Sequence, residues 1–176
     1  MNRRTAIRNA VVIAAGASLL PSCFREDKPA IALRNISLSG KEEEMLAQLA
    51  EIIIPTTDFI GAKDLHAYEF ILTMVDDCYS PEQQDKFVAG LKKFNEVSKE
   101  KTGDSFANAT PQQKKDFLAI VESKKDIPEE VVDFYSIAKR HTIQAFTGSQ
   151  QFMEGIGKYK IIPGINFRGC VAIAAA

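Results

Sequence analysis

Two histidines and three cysteines are the residues in this 176-residue chain best suited to metal or nucleophilic chemistry. Their spacing favours neither. His66 lies near Asp64 and Glu69, but no second histidine stands four residues on and no His-Glu-x-x-His pattern occurs, so the pair of imidazoles that seats a zinc ion on one helix face is missing. His66 reads as a surface or capping residue. His141 falls on the apolar stripe of an amphipathic segment, where a hydrogen-bonded core histidine is a simpler expectation than a general base. Asp76-Asp77 closes a helical run, where the negative end of the helix dipole opposes it. A solvated turn is expected there, with a counter-charge from another element or a partner as the alternative. Carboxylates without a defined separation do not make an acid–base pair. There is no Gly-x-Gly-x-x-Gly fingerprint, no Walker loop and no Cys-x-x-Cys-His, and Gly155-x-Gly157 follows a helix rather than a strand. The residues therefore point to no catalytic, metal or cofactor site in this chain.

The cysteines have other uses. Residues 1–22 carry Arg3-Arg4, then Arg8, then an apolar run from Ala10 to Leu20. That run is too short for a membrane span of roughly 20 residues. The pattern resembles a twin-arginine export signal, and Leu20-Pro21-Ser22-Cys23 resembles a lipoprotein processing box, with Cys23 as the lipidated residue. An ordinary cleaved signal is the alternative. The expected location is the periplasm, anchored to a membrane through Cys23. Cys78 and Cys170 remain, in an oxidising compartment where free thiols seldom persist. A bridge between them, a bridge from Cys170 to a partner, and two idle thiols are all open readings, because the distance between the Cα atoms decides the matter.

The elements that must position these residues are helical. Residues 23–38 mix charge with Pro29 and Asn35 and read as a tether. Ser39, Ser80 and Thr110 each stand where a helix cap belongs, with Glu42 three residues after Ser39 as in a capping box and Pro81 and Pro111 opening the helices after Ser80 and Thr110. Met45, Leu46, Leu49, Ile52 and Ile53 give the first helix an apolar face. Pro55 stops it, because proline lacks an amide hydrogen and clashes one turn back, and Thr57, Asp58 and Gly61 supply a tight reversal. A second helix from Leu65 to Cys78 is expected to bury Phe70, Ile71, Met74 and Val75. The third buries Phe87, Val88, Leu91 and Phe94, and Phe106 plugs the core from a polar loop. The fourth carries Phe117, Leu118 and Val121. A longer fifth starts at Ile127-Pro128-Glu129-Glu130, lays Val131, Phe134, Tyr135, Ala138, His141, Thr142, Ala145 and Phe146 on one face, and ends at Gly148. A short helical turn follows to Glu154. From Gly155 the chain lacks a period and reads as an arm. The fold class is all-α, a bundle of five to six helices with an irregular C-terminal arm, spanning residues 39–176.

Ile54-Pro55-x-x-Asp58-x-x-Gly61-Ala62, continued by Glu69-Phe70-Ile71, resembles the signature of the gluconate 2-dehydrogenase subunit 3 family, the small subunits of periplasmic flavin-dependent sugar and sugar-acid dehydrogenases. Gly155-x-x-Lys158-Tyr159, Pro163-Gly164 and Gly169-Cys170 resemble that family's C-terminal segment. Ile60 and Cys78 depart from it, standing where a proline and an aromatic are expected. The resemblance implies a chaperone-like accessory subunit without catalysis of its own. Its partner would be a large FAD-dependent subunit of the glucose–methanol–choline type, with a haem-bearing cytochrome c subunit to take the electrons onward. A free-standing periplasmic lipoprotein that binds a small ligand is the alternative; a closed polar pocket would favour that, and a broad apolar patch the partner. The net charge is −1, and removing the leader takes away Arg3, Arg4 and Arg8 but no acidic residue. A mildly acidic chain of this kind lacks the basic face that nucleic-acid binding requires.

Overall fold

The computed structural model describes residues 29–155, which form six helices and no strand. They are α1 (Gly40–Ile53), α2 (Ala67–Cys78), α3 (Pro81–Thr102), α4 (Pro111–Ser123), α5 (Glu129–Thr147) and α6 (Gln150–Gly155). The three expected caps are present as complete capping boxes. Ser39, Ser80 and Thr110 each accept from the backbone of the third helical residue, whose side chain reaches back to the cap's own amide. Each box satisfies two of the donors that a helix start leaves unpaired. Helix α5 begins after Pro128 without a side-chain cap.

Helix α5 is the axis of the bundle, packing against each of the other five helices. Its main neighbour is α3, and Gly90 sets their separation. A Cβ there would lie 2.7 Å from the Glu130 carbonyl oxygen and 2.8 Å from the Cβ of Phe134, so only glycine allows so close a crossing. Around it lie five phenylalanines with almost no exposure: Phe87, Phe94, Phe106, Phe117 and Phe134. Phe94 is their hub, with ring centroids of Phe117, Phe106 and Phe134 at 5.0, 5.1 and 5.3 Å. These spacings and tilted planes suit the ring quadrupoles. Phe106 does plug the core from its loop, and Asn95 Oδ1 accepts its amide hydrogen at 3.2 Å.

Two expectations change. Helix α2 buries Ala67, Ile71, Leu72, Val75 and Asp76, while Phe70 and Met74 are only half-buried. Its inward face is therefore turned from the expected one, and a carboxylate lies on it. Asp76 is not in a solvated turn. Its Oδ2 accepts the amide of Arg34 at 2.9 Å, and its Oδ1 accepts those of Asn35 and Ile36 at 2.7 and 2.9 Å. Burial pushes this carboxyl's pKa up, but the three amide donors and the Arg34 charge outweigh it, and the net shift is downward. Asp77, the other half of the pair, is exposed.

The second change concerns the segment read as a tether. Residues 29–38 lie on the bundle as a strap. Besides the Asp76 clamp, Glu43 in the first turns of α1 is buried and accepts the amides of Ala30 and Ile31 at 2.7 and 3.3 Å. Ile36 and Leu38 join the core, with Ile31 and Leu33 packed beside it. Two carboxylates thus satisfy five backbone amides of a segment with no secondary structure of its own, the accounting that burial of such backbone demands.

Candidate functional site

The residues that carried the sequence signature meet at one end of the bundle, around the reversal between α1 and α2. Ile54, which precedes the proline, has left helical geometry at φ −133° and ψ 89°, as the proline ring requires of its neighbour. The chain then doubles back, and the Ala62 amide donates to the Ile54 carbonyl at 2.9 Å. Gly61 is needed at the crossing: a Cβ there would lie 2.4 Å from Thr56 Oγ1 and 2.5 Å from Thr56 N. Ala62 is fully buried with Ala50 and Ala67, and these small residues let α1, the reversal and α2 approach each other closely. Side chains pin the loop from both flanks. Thr56 donates its amide to Glu51 at 2.8 Å and its hydroxyl to Asp64 at 2.8 Å. Pro55 and Asp58 face solvent.

Of the eight signature residues, Gly61 and Ala62 are therefore internal and shape the turn and Ile71 is buried in α2, while Ile54 and Phe70 are half-buried and Pro55, Asp58 and Glu69 are exposed. His66 occupies the residue before α2 in left-handed geometry, φ 53°, with no side-chain cap. It is exposed, as expected, with Nδ1 3.0 Å from Glu69 Oε1. Beside it runs an open groove of about 500 Å³ between the start of α2 and the end of α5, with Leu65, Phe70, Ala145 and Gly148 among its walls. Below that groove His141 is the core histidine that its position on the stripe implied. Its Nε2 is 2.9 Å from the Tyr79 hydroxyl and its Nδ1 is 3.1 Å from Gln144 Oε1. Burial lowers its pKa, only partly offset by the Gln144 bond, and the nearby Arg140 charge lowers it further.

The sequence reading missed an aromatic cluster at this same end. Phe59, from the tip of the reversal, meets Phe146 edge-on at 6.2 Å, and Phe146 meets Phe152 of α6 at 5.3 Å. All three rings are half-buried. The available signal was Phe59 itself, an aromatic carried on a turn between two helices. Gly155, where the arm begins, lies against the Phe59 ring. Only two large hydrophobics among the described residues are exposed, Ile120 and Ile143, so the described surface has no broad apolar patch. Its apolar edge is this aromatic end.

A second, larger cleft of about 1180 Å³ runs between α1 and α3. Lysines and glutamates line it, including Glu44 and Lys63, which pair at 2.9 Å. Lys114 was also unforeseen. It is buried, lies 5.6 Å over the Phe106 ring, and donates to Gln48 and to the Ala107 carbonyl, two residues of the cleft wall. Burial, and then the charge of Lys63, depress its pKa. Both clefts are open to solvent.

Cys78, at the end of α2, is exposed. Arg3, Arg4, Cys23, Cys170 and the arm beyond Gly155 lie outside the described residues. No helix among the described residues is long and apolar enough to cross a membrane.

Comparison with curated proteins and with solved structures gave no match. The family model described as gluconate 2-dehydrogenase subunit 3 matches residues 40–164, which take in the whole bundle from the first turn of α1 and the beginning of the arm. The chain belongs to the gluconate 2-dehydrogenase subunit 3 family.

Proposed function

We propose that this chain is the non-catalytic small subunit of a membrane-associated, flavin-dependent gluconate or sugar dehydrogenase, and that it exports, helps assemble and tethers the large catalytic subunit. The observation that carries the reading is the family match across residues 40–164. In this reading the partner is a flavoprotein of the glucose–methanol–choline type that holds FAD and does the chemistry, and a cytochrome c subunit with haem takes the electrons onward. Arg3 and Arg4 direct both proteins through a route that accepts folded cargo, and lipid on Cys23 retains them at the membrane. The aromatic end of the bundle and the arm that leaves beside Phe59 form the contact with the partner. This chain holds, orients and carries; no proton or electron passes through its own residues. The alternative of a free-standing ligand-binding lipoprotein calls for an enclosed pocket, and the two clefts are open; the described surface equally lacks the broad apolar patch that the partner reading called for, so the family match alone favours the partner.

The test is fractionation of cells carrying Arg3→Lys with Arg4→Lys. The double change keeps the charge and the apolar run but loses the planar, multi-donor guanidinium groups. The expected result is that both proteins, with the dehydrogenase activity, remain in the cytoplasm. Activity left in the periplasm would overturn the carrier role. A tagged full-length chain drawn from native membranes should bring a flavoprotein with it.

A further inference from the structure

We propose that the cleft between α1 and α3 is a docking groove for an acidic, extended segment of a partner polypeptide. The proposal goes beyond the family reading: it rests on the cleft alone, whichever protein supplies the segment. Each helix lines the cleft with one stripe. Lys41, Glu44, Met45 and Gln48 on α1 and Lys92, Asn95, Glu96 and Lys99 on α3 share the same helical spacing, which puts each set on one face. By count the wall is balanced, with Lys41, Lys63, Lys92 and Lys99 against Glu42, Glu43, Glu44 and Glu96. By engagement it is not. Glu42 is spent on the Ser39 cap, and Glu43 is buried on the Ala30 and Ile31 amides. Both stand at the positive N-terminal end of α1, which offsets part of their charge. Glu44 holds Lys63, and Glu96 holds Lys93, which is not part of the wall.

Three ammonium groups are left over. Lys92 and Lys99 have no carboxylate partner among the described residues. Lys114, behind the wall, has only the neutral oxygens of Gln48 and Ala107 as acceptors. Being buried, its charge is screened less than theirs. Lys63 lowers its pKa and Glu44 opposes this only in part, the sign expected of a cation in a positive field. Asn95 spends its Oδ1 on the Phe106 amide, so its amino group is left to donate between Lys92 and Lys99. The unmet demand in the cleft is therefore for carboxylates. Lys92 and Lys99 stand about 10 Å apart along the α3 axis, and an extended chain places side chains about 7 Å apart at every second residue. Two or three acidic side chains on such a segment reach both ammonium groups and the amide between them. A small anion fits less well, because small-ligand sites hold about 300–1,000 Å³ and bury most of the ligand, whereas this cleft is about 1180 Å³ and open.

The experiment uses the tagged full-length chain in detergent and a fluorescein-labelled ten-residue peptide of alternating serine and glutamate. Binding is read by anisotropy at low ionic strength, where exposed charges are least screened. A peptide with glutamine in place of glutamate should bind about tenfold more weakly. Lys92→Gln with Lys99→Gln changes two exposed side chains that hold no ion pair, so the fold stands, and binding of the glutamate peptide should weaken about fivefold. Lys115→Gln with Lys125→Gln removes the same charge from exposed positions outside the cleft and should change binding less than about twofold. Carbodiimide coupling followed by mass spectrometry should join the glutamate peptide to Lys92 or Lys99 and not to Lys115. No binding, or equal binding of the two peptides, would overturn the proposal. So would an equal loss in the two double variants, since net charge rather than the cleft would then attract the peptide. Displacement of the peptide by glutarate at matching concentration would overturn it as well, in favour of a small-anion site. None of these results bears on the flavoprotein partner, which the fractionation tests separately.

Discussion

The bundle contains two phenylalanine clusters built to different standards. In one, Phe87, Phe94, Phe106, Phe117 and Phe134 are sealed between α3, α4 and α5. In the other, Phe59, Phe146 and Phe152 share their edges with water at the reversal. The first cluster is what holds the fold. The second spends apolar surface where it stabilises the isolated chain least, and it lies where the signature residues and the start of the arm converge. The proposed role of holding another protein would call for both: a core that is complete alone, and an edge that contact could complete.

The sharpest way to break this contrast is truncation of the two hubs. Phe94→Ala removes the ring that three others surround, and it should cost about 3–5 kcal/mol through lost burial and the cavity left behind. Phe146→Ala, at the centre of the half-buried cluster, should cost about 1–2 kcal/mol, because part of that ring is already in water. Urea unfolding of the two variants decides it. In the partner pull-down the order should reverse, with Phe146→Ala the more damaging. Equal destabilisation would mean that the aromatic end is simply more core.

The two regions also differ in how their backbone is held. The strap over the core depends on carboxylates, and the reversal depends on the absence of a side chain. Asp76→Asn leaves up to three strap amides poorly paired and should cost about 1–3 kcal/mol at neutral pH. The sign of its pH dependence follows from a folded pKa below the ordinary 3.8: the stabilisation is complete above that value and is lost as pH falls through the lower folded value. Wild type and variant should therefore converge in acid, as read by chemical denaturation at pH 7 and below pH 3.8. Gly61→Ala should cost about 1–3 kcal/mol by overpacking against Thr56 and Pro55, with no such convergence. Limited proteolysis should cut the first variant in residues 29–38 and the second near residue 58.

How much of this was legible in the sequence depends on how local the cause is. The caps at Ser39, Ser80 and Thr110 are decided within four residues, and all three stood as expected. Phe106 was legible because a lone aromatic in a polar loop has few other places to go. The strap was not. Asp76 binds amides about forty positions away, and nothing near Asp76 announces an acceptor for backbone amides. Once a carboxylate is buried there, Leu72 turns inward and Phe70 and Met74 turn out, so one long-range contact also explains the misread face of α2. The reversal was legible as a turn from Pro55 and Gly61. Its aromatic neighbours were not, because Phe146 and Phe152 come from the far end of the chain.

The smallest effect concerns the boundary between the two regions, where His141 sits under the groove. Its ring faces Phe70 and Tyr79 from α2 and the residue beyond it, and Gln144 and Arg140 from its own helix. Arg140 donates to the Tyr79 hydroxyl, so that hydroxyl's own hydrogen is left for His141 Nε2, and Nδ1–H donates to Gln144. This arrangement needs a neutral imidazole. Burial lowers the folded-state pKa below the ordinary 6.5, so the unfolded chain takes up a proton first as pH falls. The stabilisation is complete above pH 6.5 and declines toward the lower folded value, at no more than about 1.4 kcal/mol per pH unit. Titration of the His141 ring by NMR should give a midpoint below 6.5, and the stability loss between pH 7.5 and 5.5 should shrink in His141→Gln. A midpoint at or above 6.5 would place this seam with the wet aromatic end rather than with the sealed core. Partner binding, if it closes the groove beside Phe70 and Gln144, should then move the midpoint further down, because the same ring loses more of its water.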